Sequence, residues 1–155
     1  MSDATKPLTT PQLLAQVVAD TPDDPAVIDG DTELTWAELA DRAAGLARAV
    51  AAHGVTPGDR VAIWAPNCWE WVVALLGLHA AGAVLVPINT RYRGQEAADL
   101  LERSGATLLF TVGTFLGTDY LDLLGDALPA TTETVVVLRS DGDVTSVATG
   151  AHLRL

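Results

Sequence analysis

Trp71 to Arg91 reads WVVALLGLHAAGAVLVPINTR, and the reading of that stretch decides the fold. Trp71 through Ile88 is 18 successive residues without a formally charged side chain. A run of about 20 apolar residues is long enough to cross the hydrocarbon core of a bilayer. It can also be a buried helix that turns and continues as a buried strand. The punctuation inside it selects the second. His79 is costly at a bilayer centre, and Gly77 is a poor interior residue for an isolated helix. Gly82 stands where a helix takes a left-handed cap, a conformation glycine reaches without strain. Ala83 to Val86 is then a short apolar run ended by Pro87, and it reads as a central strand. Helix, glycine turn and strand make one α/β unit inside a soluble domain.

The same grammar repeats on either side. Pro11 to about Asp20 carries Leu13, Leu14, Val17 and Val18 on one face of a short helix with proline in its first turn. Thr21 to Pro25 is a turn cluster, and Ala26 to Ile28 and Leu34-Thr35 flank Asp29-Gly30-Asp31 as a hairpin. Trp36, Leu39, Ala40, Ala43, Leu46, Ala47 and Val50 follow helical spacing, with Thr35 and Glu38 placed to form a capping box. His53-Gly54 ends that helix, and Val61 to Trp64 is a strand broken by Pro66-Asn67. Arg93 to Ser104 reads as a helix capped by Gly105, Thr107 to Val112 as a strand, Leu116 to Leu128 as a helix and Thr134 to Leu138 as a last strand. Strands alternating with helices predict right-handed crossovers and a mostly parallel sheet with helices on both faces, plus a small N-terminal hairpin. The resulting division is a flexible leader over 1–10, a partial domain over 11–138 and an irregular tail over 139–155, the chain stopping in a loop rather than at a domain end.

The bulk numbers narrow the partners. At 155 residues, nearly half of them hydrophobic, the chain can bury a real core. Its net charge of −11 argues against nucleic acid or an anionic membrane surface, since both need a positive patch. Cys68 is the one cysteine, so an intrachain disulfide and a cysteine-based metal site are both excluded. Its place at the start of an apolar helix reads as packing. MSDATKPLTTPQ lacks the basic and apolar regions of a signal peptide, which points to the cytoplasm.

Candidate chemistry is sparse. Neither GxxxxGK[ST] nor GxGxxG is present. Thr111 to Thr118, TVGTFLGT, offers glycines and threonines, but no lysine follows, and Phe115-Leu116 puts apolar bulk where an anion would sit; it reads as a strand-to-helix connector. His53, His79 and His152 lie in separate segments without ligand spacing. His53, in the last turn of a helix, would complement its dipole when charged, and His79 reads as a core or boundary histidine. Trp64, Trp69 and Trp71 cluster around Pro66-Asn67, where core packing and the wall of a ligand pocket both remain open.

LTWAEL (34–39), PGDRVAIWAPN (57–67) and LHAAGAVLVPIN (78–89) stand in an order that resembles the adenylate-forming superfamily of acyl-CoA synthetases, peptide-synthetase adenylation domains and luciferases. LTWAEL (34–39) resembles its early L-T-Y-x-E-L signature. GVTPGDRVAIWAPNCWEW (54–71) and GLHAAGAVLVPINTRYRGQEAADLLERSGATLLF (77–110) follow in order, the second resembling L-x-A-G-x-x-x-x-P-x-N. RYRGQEA and FLGTDY (115–120) resemble the acid–CoA ligase branch. Trp36 stands for the usual tyrosine, and Arg93 where a helix-capping Thr or Ser is common. The resemblance implies a large two-domain enzyme that activates a small-molecule carboxylic acid, as in fatty acid metabolism, with ATP and magnesium and passes it to coenzyme A. Its phosphate loop, aromatic-Thr-Glu element, ribose-binding aspartate and C-terminal lysine have no matching positions here. The expectation is therefore an N-terminal fragment, catalytically inactive and binding no cofactor itself. Trp64, Asn67, Trp69 and Trp71 are then candidates for the substrate-pocket wall, and exposed sheet surface is open to self-association. Two rivals stay open: a stand-alone interaction module pairing with a separate chain, and a small flavodoxin-like binding domain.

Overall fold

The computed structural model describes residues 8–139. The leader assigned to 1–10 and the tail assigned to 139–155, His152 included, therefore lie mostly outside the described residues. Helix α1 (Thr10–Asp20) precedes a hairpin of β1 (Pro25–Asp29) and β2 (Thr32–Thr35). Helix α2 (Trp36–Ala52) opens on the expected capping box. Thr35 Oγ1 accepts from the Glu38 N–H at 3.2 Å, and the Glu38 carboxylate accepts from the Thr35 N–H at 2.9 Å. Both bonds satisfy donors that a helix start otherwise leaves unpaired.

The main sheet is built from β3 (Arg60–Trp64), β4 (Val84–Pro87), β5 (Leu108–Val112) and β8 (Thr134–Leu138), all parallel, in the order β4-β3-β5-β8. Helix α3 (Trp69–Ala80) links β3 to β4, and α4 (Gly94–Ser104) links β4 to β5. The first crossover steps one way from β3 and the second steps back past it. Two right-handed crossovers of opposite direction put their helices on opposite faces. Helix α3 accordingly packs on α1 and α2, whereas α4 packs on α5 (Tyr120–Leu124).

The apolar run is helix, turn and strand as expected, with Gly82 at φ 77°. Gly77 earns its place by absence of bulk. A Cβ there would stand 2.7 Å from Leu46 Cδ2 and 2.8 Å from the Ala43 carbonyl oxygen of α2. The residue that weakens a lone helix is what lets α3 lie against its neighbour.

Two expectations need correction. The strand after Gly82 is not central: among the described residues β4 pairs only with β3, and Val84 is 49% exposed. Pro87 explains the placement, because a residue without an N–H is tolerated at a sheet edge. The central strands are β3 and β5, and every residue of β5 is buried. Nor is Leu116 to Leu128 one helix. A second hairpin, β6 (Thr114–Phe115) with β7 (Thr118–Asp119), takes up its start, and α5 is followed by a 3-10 turn (Gly125–Ala127). Asp119 ends the hairpin because its carboxylate caps α5, accepting from the Leu121 and Asp122 N–H groups at 2.8 and 3.1 Å.

Gly77→Ala is expected to cost about 1–3 kcal/mol through overpacking against α2. Gly45, in the same α2–α3 layer, would meet only the Arg48 guanidinium at 3.9 Å. Gly45→Ala should therefore stabilise by up to ~1 kcal/mol through helix propensity. Urea denaturation of both variants checks the pair, and equal shifts would contradict the close contact.

Candidate functional site at the carboxyl edge of the sheet

A parallel sheet whose strand order reverses opens a crevice at the carboxyl ends of the strands where the crossovers diverge. Here those strands are β3 and β5. The chain leaves β3 through Ala65-Pro66-Asn67 and leaves β5 through Gly113 into the β6–β7 hairpin. Thr111 fastens the two strand ends, its hydroxyl donating to the Trp64 carbonyl at 2.9 Å.

Three clefts open along this edge. One of ≈ 540 Å³ is lined by Pro66, Asn67, Val112, Gly113, Phe115 and Arg139, among others. A second, ≈ 400 Å³, runs between Asn67, Trp71, Ile88, Asn89 and Phe115. A third, ≈ 520 Å³, lies between Arg91, Tyr92, Arg93, Phe115, Leu116 and Thr118. Phe115 belongs to all three, although no spacing or motif distinguishes it in advance from Leu116.

Of the four residues expected at a pocket wall, the structure brings two together. Asn67 is exposed and shared by the first two clefts, and Trp71 is half-buried in the second. Trp64 lies fully buried in the core, its indole N–H donating to the Asn89 carbonyl at 3.1 Å and its ring 4.5 Å from that of Tyr120. Trp69 turns to Arg42, whose guanidinium sits 4.9 Å from the ring centroid.

Sequence reading missed a charged cluster at the same edge. Glu70, in the first turn of α3, is buried, and its carboxylate accepts from Arg139 Nε at 3.0 Å. Arg139 also pairs with Asp29 of β1, which accepts from the Trp69 N–H at 3.1 Å. Three residues this far apart in the chain leave no periodic signal. Their effect is electrostatic: the cation lining the first cleft is already balanced by two carboxylates.

The remaining candidates are structural. Burial pushes the Cys68 thiol up to about 11, so almost none of it is thiolate at neutral pH. His53 Nε2 lies 2.9 Å from Thr134 Oγ1 at the opposite, amino edge of the sheet, and His79 is half-buried late in α3. Among the described residues there is no group of three or more His, Cys, Asp and Glu able to hold a metal. None of their helices is long and apolar enough to cross a membrane.

The description of AMP-binding enzymes matches residues 14–152. The chain belongs to the AMP-binding enzyme family. Among its relatives are the 3-[(3aS,4S,7aS)-7a-methyl-1,5-dioxo-octahydro-1H-inden-4-yl]propanoyl:CoA ligases of Rhodococcus jostii and Mycobacterium tuberculosis. They are 47% and 48% identical over 88% and 92% of this chain, which spans only 27% and 29% of their own lengths. The portion matched is N-terminal. The fold is also that of a benzoate CoA ligase from Burkholderia xenovorans, with a TM-score of 0.76 over 86% of this chain and 26% of that one, at 24% identity. The family depends on ATP and coenzyme A. In the first cleft Arg139 is paired with Asp29 and Glu70, and the sequence's one lysine, Lys6, lies outside the described residues.

Alkylation of Cys68 by iodoacetamide should be at least tenfold slower than that of free cysteine at pH 8, with the rate climbing only toward pH 11 as the buried thiol ionises. Thiol reactivity at pH 8 equal to that of a free cysteine would contradict the burial. Arg139→Ala should cost about 1–2 kcal/mol by leaving Glu70 buried without its donor. Adding Glu70→Gln to that variant should recover much of the loss, as a double-mutant cycle by urea denaturation would record.

Proposed function

We propose that this chain is the N-terminal framework of an AMP-forming acid–CoA ligase and that its carboxyl-edge crevice receives the carbon skeleton of the acid. The observation that carries this reading is the placement of the first two clefts. They sit where a parallel sheet reverses strand order, and Trp71, Ile88, Val112 and Phe115 give them apolar and aromatic walls. Asn67 supplies a polar group between them. Relatives named as ligases of a fused-ring propanoate favour a propanoic acid on a bicyclic skeleton as the substrate class. An acidic chain with a single buried cysteine fits a reducing cytoplasm.

Adenylation needs preorganised positive charge where the phosphates transfer, and that electrostatic contribution dominates such chemistry. Among the described residues, the one cation lining these two clefts is Arg139, which Asp29 and Glu70 already pair. Activation by ATP and transfer to coenzyme A are accordingly assigned to groups this chain does not carry, with this part positioning the acid. Among the described residues β4 has no second neighbour, and its exposed Val84 supports a lesser role in self-association, which light scattering over a concentration series would measure.

Titrating the chain with a fused-ring propanoate should quench tryptophan fluorescence with a Kd of roughly 0.1–1 mM. Trp71→Ala should weaken that binding at least fivefold. Pyrophosphate release from ATP, with magnesium and the same acid, should stay at background. Turnover by the chain alone would overturn the framework reading, and unaltered binding in Trp71→Ala would remove Trp71 from the wall.

A further inference from the structure

Strand β4 spends its hydrogen bonds on one side. The Val84 N–H donates to the Asp59 carbonyl at 2.8 Å and the Ile88 N–H to the Ile63 carbonyl at 2.9 Å, both toward β3. Backbone groups alternate sides along a strand, so the N–H and carbonyl of Leu85 point away from β3. Pro87, the next residue of the same parity, has a carbonyl but no N–H. The outward edge of β4 therefore offers Leu85 as its one residue able both to donate and to accept. Among the described residues no strand takes those groups, and Val84 is exposed beside them.

A hydrogen-bonded antiparallel pair needs one such residue on each strand, the two exchanging both bonds. A second copy of this chain brings that matching set. Val84-Leu85-Val86 also reads the same in both directions, so a two-fold axis at Leu85 sets each Val84 against Val86 of the other copy. Facing β-branched pairs stabilise adjoining strands. Charge selects the same occupant. Trp71 to Ile88 carries no charged side chain in a chain of net charge −11, so two copies meet along this strand without like charges opposite each other, and a strongly charged partner finds no counter-charge on it. We propose that β4 pairs antiparallel with β4 of a second copy about a two-fold axis at Leu85, joining their four-stranded sheets into one. Pro87 stops the ladder beyond that exchanged pair, which keeps the contact weak. This inference gives the self-association role above its register and rests on no feature of the acid-binding crevice.

Sedimentation equilibrium of the chain should show a monomer–dimer equilibrium with a Kd of roughly 100 μM, the range of a small interface. Amide hydrogen exchange then reads the register. At a Kd of that size the Leu85 amide should exchange roughly fourfold more slowly at about 1 mM chain than at about 10 μM, because exchange proceeds through the unpaired fraction. The Val84 amide, already bonded toward β3, should show no such dependence. Val84→Lys places a charge on the exposed edge and should weaken the dimer at least about tenfold, although it lowers the net charge of each copy. Val84→Thr, still β-branched and uncharged, should stay within about threefold of the unaltered chain. A chain that remains monomeric at about 1 mM overturns both the pairing and the self-association role, and leaves the acid-binding reading untouched. Dimers in which Leu85 exchange does not change with concentration overturn the pairing alone, as does a Val84→Lys chain that dimerises unaltered. Leu85 protected equally at every concentration puts another part of the same chain on the edge and also overturns it.

Discussion

The contact between α2 and α3 at Gly77 is the constraint on which the rest of the structure depends. Eighteen residues without a charge, Trp71 to Ile88, are a hazard in water unless they are covered. Cover comes from bringing α3 so close to α2 that a methyl group at position 77 would collide with Leu46 and the Ala43 carbonyl. That approach seals Val73, Ala74 and Leu78, all at most 1% exposed, and leaves the strand beyond Gly82 aligned beside β3. Close-packed interiors respond poorly to added volume, so the position of the sheet follows from the absence of one side chain.

From that geometry the site follows. Strands β3 and β5 must lie side by side, and their crossovers must leave in opposite directions, so their carboxyl ends open rather than close. The chain furnishes this opening with Asn67, Trp71 and Phe115 and then neutralises the nearby cation, pairing Arg139 with Asp29 and Glu70. Such a clamp ties hairpin, helix and last strand together at one point. It stiffens a wall and leaves the first cleft without the unpaired positive charge that phosphate chemistry requires.

Much of this was legible in the residues because local and global signals agree. Thr35 and Glu38 mark the start of α2, Gly82 and Gly105 mark helix ends, and both helix ends are left-handed as glycine permits. What misled was short-range ambiguity. Val84 to Pro87 is as apolar as a central strand, and only its lack of a second neighbour among the described residues shows it as an edge. Leu116 to Leu128 has helical composition, yet Gly117 and the capping carboxylate of Asp119 divide it into turn and helix. At the site, tryptophan spacing predicted a cluster but not its facing. Trp64 went to the core, Trp69 to Arg42, and Phe115 took the wall of the clefts because a hairpin delivered it there. Asp29, Glu70 and Arg139 meet only through tertiary structure, which no periodicity encodes.

The decisive test is amide chemical-shift mapping of the isotope-labelled chain with a fused-ring propanoate and, separately, with ATP and magnesium. A framework that holds the acid but not the nucleotide requires the acid to move the amides of Asn67, Trp71, Val112, Gly113 and Phe115. ATP with magnesium should leave those amides in place. Shifts at the crevice caused by the nucleotide, or acid-induced shifts confined to other parts of the fold, would contradict it.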